Sequence, residues 1–235
     1  KTGPPVHNFR LPALTMGKEI FLHRIIELAD DLLATWMDRV VELQVKNDAY
    51  EGIDGGILCP ACSRIHGRTL DAVYPLMYRA EKSGDERYLE AARSVFRWSS
   101  KVSFSNGAWE NDVAISRWRG ITVFGTISLA ESLKFHGELL APEEREAWRD
   151  RLAHAGSYLY DNIHIGTSVI NYPITAVYAF ALLAETLSEP RFREKARELS
   201  SQCIDYFTEG NRFIFGEGHN RSVPSPKGCY PIDLG

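Results

Sequence analysis

The sequence predicts an all-α fold in which helix hairpins stack as an (α/α) toroid or as an incomplete (α/α) barrel. Three observations predict this fold class. Apolar residues recur at three-to-four-residue spacing through most of the chain, as they do on the buried face of a helix. The predicted helices are joined alternately by short turns and long loops, which is the connectivity of stacked hairpins. Residues 173–186 are apolar around nearly the whole helix circumference, which is typical of a helix buried on all sides.

The first predicted helix follows an N-terminal arm. Residues 1–17 contain proline and glycine and lack apolar periodicity, so they are predicted to be an arm. From residue 18 to about residue 44 the apolar side chains fall on one helical face. Residues 18–235 are predicted to form the toroid domain. We expect this domain to be incomplete at its C-terminal end, because residues 230–235 read like the approach to a further element.

The remaining helices alternate with turns and loops. The predicted helices are 69–82, 85–100, 120–137, one that begins at Pro142, 173–186 and 190–208. Short turns are predicted at 83–85, 138–142 and 187–190, and long loops at 45–68, 101–117, 161–172 and 209–235. In stacked hairpins the long loops all emerge at one end, so a ligand cleft is expected there.

Composition and charge argue against two classes of partner. The net charge is −4, whereas nucleic-acid-binding proteins usually carry a basic excess, so no nucleic-acid partner is expected. No apolar run reaches the roughly 18–20 residues of a membrane span, so no span is predicted either. The oligomeric state is not predicted.

The loop 54–68 contains a possible metal site. Cys59 and Cys62 have the spacing of a zinc knuckle, and His66 is a candidate third ligand. A fourth ligand would come from elsewhere in the chain, with Cys229, Cys203 or His219 as candidates. A local disulfide and unmodified buried thiols are the alternatives. No cofactor is required by the prediction, and zinc is kept only as a candidate.

The same loop carries positive charge. Arg64, His66 and Arg68 lie within five residues of one another, and two of them are guanidinium groups that bind carboxylates in a bidentate manner. Contact with an anionic ligand is one interpretation. Ion pairs that anchor the loop are the other.

The loop 101–119 has the composition of a sugar-binding surface. Trp109 offers a flat apolar face, while Asn111 and Arg117 offer groups that hydrogen-bond to hydroxyls. Trp118 leads directly into a helix and is predicted to belong to the core. Trp109 is predicted to line the cleft.

Two further segments supply candidate polar groups. Asn171 and Tyr172 precede Pro173, which marks the start of a helix at the loop end of the hairpins. In the C-terminal loop a Gly-Glu-Gly-His stretch ends at His219, and Arg221 and Tyr230 follow it.

These motifs resemble those of the heparinase II/III-like polysaccharide lyases and neighbouring α/α-toroid lyases. The features that carry the resemblance are the Asn171-Tyr172 pair, the Gly-Glu-Gly-His stretch leading to Tyr230, and the Cys-Pro-Ala-Cys-Ser-Arg-Ile-His-Gly-Arg loop. The resemblance implies cleavage of a uronate-containing polysaccharide by β-elimination. The implied partner is an acidic polysaccharide or oligosaccharide, and the implied location is the periplasm or the exterior of the cell.

The resemblance also implies roles for individual residues. Asn171 would neutralise the uronate carboxylate, and Tyr230 would act as base or acid with His219 as its partner. Arg64, His66 and Arg68 would hold further substrate carboxylates, and Trp109, Asn111, Arg117 and Arg221 are the other candidate substrate contacts. Related lyases often have histidine after the asparagine, whereas this chain has Tyr172. Tyr172 is therefore a further catalytic candidate, and the general base is left unassigned.

Two other functions remain open at this point. A glycoside hydrolase on the same toroid would need two suitably spaced carboxyl groups, and the sequence does not single out a pair. A non-catalytic carbohydrate-binding or scaffold domain is also compatible, because helical toroids host many functions. Over the long loops acidic and basic residues roughly cancel, so no strong positive field marks a polyanion site.

Overall fold

The computed structural model describes residues 18–46, 50, 52–111, 119–207, 213–218 and 229–233. Within these residues the α-helices are α1 (Lys18–Leu43), α2 (Val73–Ser83), α3 (Glu86–Trp98), α4 (Thr122–His136), α5 (Pro142–Asn162), α6 (Asn171–Thr186) and α7 (Pro190–Cys203). Short 3-10 segments cover Gly67–Ala72, Ser99–Val102, Gly137–Leu139 and Ile204–Tyr206. Each predicted helix is observed, and the predicted all-α class with stacked hairpins is confirmed for the described residues. The predicted arm, residues 1–17, lies outside them.

The chain divides into two compact units, residues 1–36 and 37–235. The described part of the first unit is helix α1 up to Trp36, and its large apolar side chains are roughly half exposed. In the second unit Met37 and Val41, from the last turns of α1, are buried. None of the described helices combines the length and the apolar character that crossing a membrane requires.

Helix ends follow the local sequence. Gly84 ends α2 in the left-handed region, with φ of 67°, and its N–H donates to the Ala80 carbonyl. The side chain of Asp85 then accepts from the Arg87 N–H and caps the first turn of α3. Helices α5 and α7 both begin with proline, whose missing N–H costs nothing in a first turn. The turn between two helices is therefore short because both helix ends are specified within a few residues.

The hairpins pack side by side in two rows. Helices α2, α4 and α6 are neighbours and form the first row, while α3, α5 and α7 each pack against the preceding helix and form the second row. Phe96 of α3 stacks on Trp148 of α5 with ring centroids 4.5 Å apart, and Tyr160 of α5 meets Phe192 of α7 edge-on. Because every first-row helix is followed by a returning helix, the first-row helices run parallel and begin at the same end.

Helix α6 differs from the prediction on one side. Ala176, Phe180 and Leu183 are fully buried, as a helix surrounded by neighbours requires. Tyr178 is exposed, however, and its hydroxyl donates to Glu131 Oε1 of α4 at 2.7 Å. The helix is therefore solvated along one edge rather than buried on all sides, because α4 and α6 share an exposed polar seam.

The segment 209–235, predicted to be irregular, contains a β-hairpin. Strands β1 (Phe213–Gly218) and β2 (Cys229–Asp233) pair antiparallel. The register places Phe213 opposite Asp233 and Glu217 opposite Tyr230, with an irregularity between Ile214 and Glu217. Sequence patterning missed the strands because each is short and one contains proline, which weakens a strand signal.

Candidate functional site

The loop after α1 is fixed to α3 before it reaches the cysteines. Gln44 is buried, and its Nε2 donates to the carbonyls of Gly55 and Ala91 at 3.0 Å each. Gly55 has φ of 86°, and a Cβ at this position would lie 2.5 Å from the Ser94 carbonyl oxygen. Only glycine permits both this conformation and this approach. The base of the loop is thus held rigidly.

A tight hairpin then carries the two cysteines. The Cys59 N–H donates to the Arg64 carbonyl and the Ser63 N–H donates to the Cys59 carbonyl, both at 2.8 Å. Leu58 and Ile65 form an antiparallel bridge at its base. Ser63, with φ of 55°, makes the turn in the left-handed region. This geometry brings the side chains of residues 59, 62 and 66 to one place.

The three sulfur and nitrogen groups in this hairpin face one another. One ligand atom from each of Cys59, Cys62 and His66 lies within 4.8 Å of the others, and Cys62 Sγ is 2.9 Å from His66 Nε2. Both cysteines are free thiols. The N–H groups of Ala61 and Cys62 donate to the Cys59 sulfur and lower the pKa of its thiol. Cys203, one candidate fourth ligand, is instead buried at the end of α7 and does not belong to this group.

The arginines of the loop have different surroundings. The Arg64 side chain is exposed, while its backbone is held by the hairpin. Arg68 pairs with Asp71, with Nε and Nη2 at 2.8 and 2.7 Å from Asp71 Oδ2. Its guanidinium also lies 4.0 Å from the centroid of the Phe124 ring. Arg68 is therefore held by a carboxylate and an aromatic face at once.

Arg68 begins a cluster that extends from the 3-10 segment before α2 to the first turns of α4 and α6. The Phe124 ring, in the first turn of α4, meets the ring of Tyr172 edge-on with centroids 5.5 Å apart. Tyr172 and Asn171 form the first turn of α6. We call Arg68, Asp71, Phe124, Asn171 and Tyr172 the N-terminal cluster, since they lie where the first-row helices begin.

Two oxygen atoms of this cluster are buried without a partner in the described part of the chain. They are Asn171 Oδ1 and Asp71 Oδ1. Burial raises the pKa of the Asp71 carboxyl, an effect that the Arg68 charge opposes. Buried polar atoms are nearly always hydrogen-bonded, so a ligand or water can complete these two atoms. Trp109 Nε1 and Arg151 Nε are in the same state, so this feature supports the cluster only together with its position and its exposed arginine.

The cluster is tied to the neighbouring loop through main-chain contacts. The Gly67 N–H donates to the Asn111 carbonyl at 2.5 Å, and a Cβ on Gly67 would lie 2.0 Å from the Glu110 carbonyl oxygen. Asn111, a predicted substrate contact, thus lies beside the segment that carries Arg68. The close approach requires glycine at position 67.

Trp109 does not line a cleft, and that prediction is wrong. Its side chain is fully buried, and the guanidinium of Arg151, from α5, lies 3.5 Å from its ring centroid. Arg151 donates to the carbonyl of Gly107 at 3.0 Å and to Ser103 Oγ at 3.2 Å, which closes the loop over the ring. Sequence reasoning missed this because Arg151 is separated from the loop by a whole helix.

Several predicted residues lie outside the described residues. These are Arg117, Trp118, His219 and Arg221. Tyr230 is described only as a member of β2, opposite Glu217 in the register. Asp71 and Phe124, by contrast, belong to the cluster without having been predicted. The spacing of Asp71 three residues after Arg68 was the available signal for the pair.

A groove of about 510 Å³ lies elsewhere, beside α3. It is lined by Asp54, Glu90 and Arg97 among others, and includes none of the N-terminal cluster. Arg97 Nη2 already pairs with Glu90 Oε1 at 2.6 Å. The charges of Arg97 and Glu90 are therefore already paired in this groove, whereas Asn171 Oδ1 and Asp71 Oδ1 of the N-terminal cluster have no partner among the described residues.

Comparison with known proteins gives two similarities to ulvan lyases. The family model described as Ulvan lyase N-terminal domain matches residues 33–235. The broad-specificity ulvan lyase of Formosa agariphila is 40% identical over 210 residues, which cover 88% of this chain and 33% of the relative. The chain thus spans about a third of the length of that curated relative.

A solved polysaccharide lyase structure is also similar, with a TM-score of 0.39 and 13% identity over 72% of this chain and 35% of that chain. The predicted resemblance to polysaccharide lyases is confirmed by the two sequence similarities. Those similarities are to ulvan lyases and do not single out the heparinase II/III-like family.

Proposed function

Because the chain belongs to the ulvan lyase N-terminal domain family, we propose that it acts in the cleavage of a uronate-containing polysaccharide such as ulvan by β-elimination. The observation that carries the proposal is the family match over residues 33–235. The N-terminal cluster supports it, since this cluster combines an amide, a phenol and a guanidinium at one end of the first row.

The reaction has three chemical requirements. A base removes the proton at C5 of the uronate, the C4–O bond breaks, and its electron pair leaves with the oxygen. The electrons of the C5–H bond form the double bond between C4 and C5, and an acid protonates the leaving oxygen. Negative charge grows on the carboxylate as C5 loses its proton, so donors aimed at that carboxylate lower the barrier.

Asn171 and Arg68 are proposed to neutralise the carboxylate. The Asn171 amide is partly buried, and its Oδ1 has no partner among the described residues. An amide in that position can turn its Nδ2 donor toward a bound anion. Arg68, which is paired with Asp71, brings a guanidinium group beside the starts of α4 and α6.

Tyr172 is proposed to supply or accept the proton. Its ring is fixed by the edge-on contact with Phe124. A phenol can protonate the leaving oxygen as a general acid, and a phenolate can take the C5 proton as a general base. Arg68 stacks on the same Phe124 ring and brings a guanidinium to this end of the first row. Tyr230 and His219 are kept as proposed partners in proton transfer.

We propose an acidic polysaccharide as the substrate, with the periplasm or the exterior of the cell as the location. The Formosa agariphila relative is a broad-specificity ulvan lyase, which supports ulvan as the first substrate to test. A polymer of this kind is met outside the cytoplasm, which supports the location.

The test is an assay of the chain against ulvan, glucuronan, heparan sulfate, alginate, hyaluronan and pectins. β-Elimination produces a conjugated 4,5-unsaturated uronate that absorbs in the ultraviolet, so absorbance and reducing ends should rise together with ulvan. The initial rate of the absorbance rise should be at least about tenfold lower for the Tyr172→Phe variant, since general acid–base catalysis contributes roughly 10²–10⁴-fold.

Tyr178→Phe is the matched control. Tyr178 lies on the same helix, is exposed, and bonds to Glu131 away from the cluster, so this variant should keep the wild-type rate. Reducing ends without absorbance would replace the lyase proposal with a hydrolase. Retardation of the chain in ulvan-containing gels, without either product, would replace it with carbohydrate binding.

A further inference from the structure

The hairpin with Cys59, Cys62 and His66 has no role in the β-elimination chemistry proposed above. Its three side chains nevertheless converge, with one ligand atom from each within 4.8 Å of the others. The two sulfurs and the imidazole are chemically the set that zinc prefers, whereas calcium and magnesium prefer oxygen.

The geometry of the group is close to that of a zinc site. Zn–S bonds of about 2.3 Å and Zn–N bonds of about 2.0–2.1 Å separate neighbouring ligand atoms by roughly 3.5–3.8 Å in a tetrahedral site. Here Cys62 Sγ lies 2.9 Å from His66 Nε2, and all three atoms fit within 4.8 Å. Side-chain rotations that shift these ligand atoms by about 1 Å would give the coordination geometry of a zinc site.

The backbone of the hairpin holds the two cysteines close together. Ser63 turns the chain in the left-handed region directly after Cys62, and the Cys59 carbonyl accepts from the Ser63 N–H. The N–H groups of Ala61 and Cys62 point at the Cys59 sulfur.

We propose that Cys59, Cys62 and His66 bind one zinc ion, with a water molecule in the fourth position. Cys62 is exposed and His66 is half-buried, so solvent reaches this position. The metal clamps the hairpin 58–66, which leads directly into Gly67 and Arg68. Its role is to fix the approach to the N-terminal cluster, and His66 is then a metal ligand rather than a carboxylate contact.

The first experiment measures metal content in the whole chain, purified under reducing conditions and without an affinity tag that binds metals. Inductively coupled plasma mass spectrometry should give about one zinc ion per chain, as expected for a single four-coordinate site. X-ray absorption at the zinc edge should show two sulfur neighbours and two nitrogen or oxygen neighbours. Removal of zinc by a chelator and replacement with Co²⁺ should give the sulfur-to-cobalt charge-transfer band of a tetrahedral thiolate site.

Matched variants separate this site from adventitious binding. Cys62→Ser and His66→Ala should lose most of the zinc. Cys203→Ser and His164→Asn should keep it, because Cys203 is buried in α7 and His164 is an exposed histidine bonded to the Ile165 carbonyl. Where a ligand variant fails to fold, the Co²⁺ titration of the wild-type chain decides instead.

Three results would overturn the proposal. They are a chain that stays metal-free when zinc is supplied, a Cys59–Cys62 disulfide in the protein as isolated, or an edge spectrum without sulfur neighbours. Metal content is read without any substrate. Failure of the zinc site is therefore distinguishable from failure of the lyase proposal.

Discussion

Two arginine–aromatic stacks in this chain have nearly the same geometry and opposite surroundings. Arg151 lies 3.5 Å from the centre of the Trp109 ring, and Arg68 lies 4.0 Å from the centre of the Phe124 ring. Trp109 is fully buried, and Arg151 donates a hydrogen bond to the Gly107 carbonyl in the loop above it. Arg68 is exposed and pairs with a carboxylate that has a second, partnerless oxygen.

Arg151 therefore stabilises the structure, whereas Arg68 is accessible to a ligand. Burial alone lowers the pKa of Arg151 to about 10, a sign that this charge is kept out of water to close a loop. Among the described residues, unpartnered buried atoms occur at both places, Trp109 Nε1 and Arg151 Nε at the buried stack and Asp71 Oδ1 and Asn171 Oδ1 at the N-terminal cluster. The difference is that the Arg68 guanidinium is exposed to solvent.

The Gly107→Ala variant should destabilise the buried stack most. Gly107 has φ of 94°, and a Cβ there would lie 2.1 Å from the His154 carbonyl oxygen. Backbone strain and overpacking together cost about 4 kcal/mol in unfolding free energy. Denaturant unfolding of Gly84→Ala is the control. Gly84 has φ of 67° but open space around it, so the cost should be about 1–2 kcal/mol. Equal losses in the two variants would contradict the close packing of this loop on α5.

The Arg151→Met variant should reduce stability without acting on chemistry. It leaves the Gly107 carbonyl and Ser103 Oγ without their donor, at a cost of about 3 kcal/mol in the free energy of unfolding. Activity measured well below the melting temperature should stay within a few-fold of wild type. A stable but inactive variant would move the functional site to the Trp109 stack.

The Arg68→Met variant should show the opposite behaviour. The Arg68–Asp71 pair is partly exposed, so its loss should change unfolding free energy by less than about 1 kcal/mol. Loss of a charge that stabilises the growing anion should lower turnover of ulvan about 100-fold. Parallel measurement of unfolding and absorbance rate checks both. An unfolding loss as large as that of Arg151→Met would contradict the contrast between the two stacks.

The Asp71 carboxyl should make stability weakly dependent on pH. Burial raises its folded-state pKa above the ordinary 3.8, so the folded chain holds this proton more tightly than the unfolded chain does. Its contribution to stability is therefore present below pH 3.8 and is lost as pH rises through the folded-state pKa. Denaturation across that range should show this loss in wild type and not in Asp71→Asn. A difference of the opposite sign would mean that the Arg68 charge outweighs burial.

Much of the fold was predictable because it depends on local sequence. Gly84, Pro142 and Pro190 mark helix ends through backbone chemistry that the sequence displays directly. The convergence of Cys59, Cys62 and His66 was also predictable, since the three groups lie within one tight hairpin. The position of Asn171 and Tyr172 at the start of a helix was predictable for a related reason, and their catalytic roles stay a prediction.

The rest depended on contacts between distant segments. The residues near Trp109 in the sequence are typical of a sugar-binding surface. In the fold, however, Arg151 of α5 packs on the Trp109 ring, and the ring belongs to the core. Phe124 is an ordinary apolar residue in a helix until Arg68 and Tyr172 meet on its ring. Strand pairing between Glu217 and Tyr230 joins segments separated by a long connection, which periodicity does not detect.

The most direct test of the site is the Asn171→Ala variant. Its Oδ1 is buried without a partner in the described residues, so removal of the amide should leave unfolding free energy unchanged or slightly higher. Loss of the group that neutralises the uronate carboxylate should lower the initial rate of absorbance rise with ulvan by about 10²–10³-fold. A variant that is as stable as wild type and nearly inactive is the predicted result. A variant that keeps the wild-type rate would contradict the account, because the N-terminal cluster would then not be where the elimination takes place.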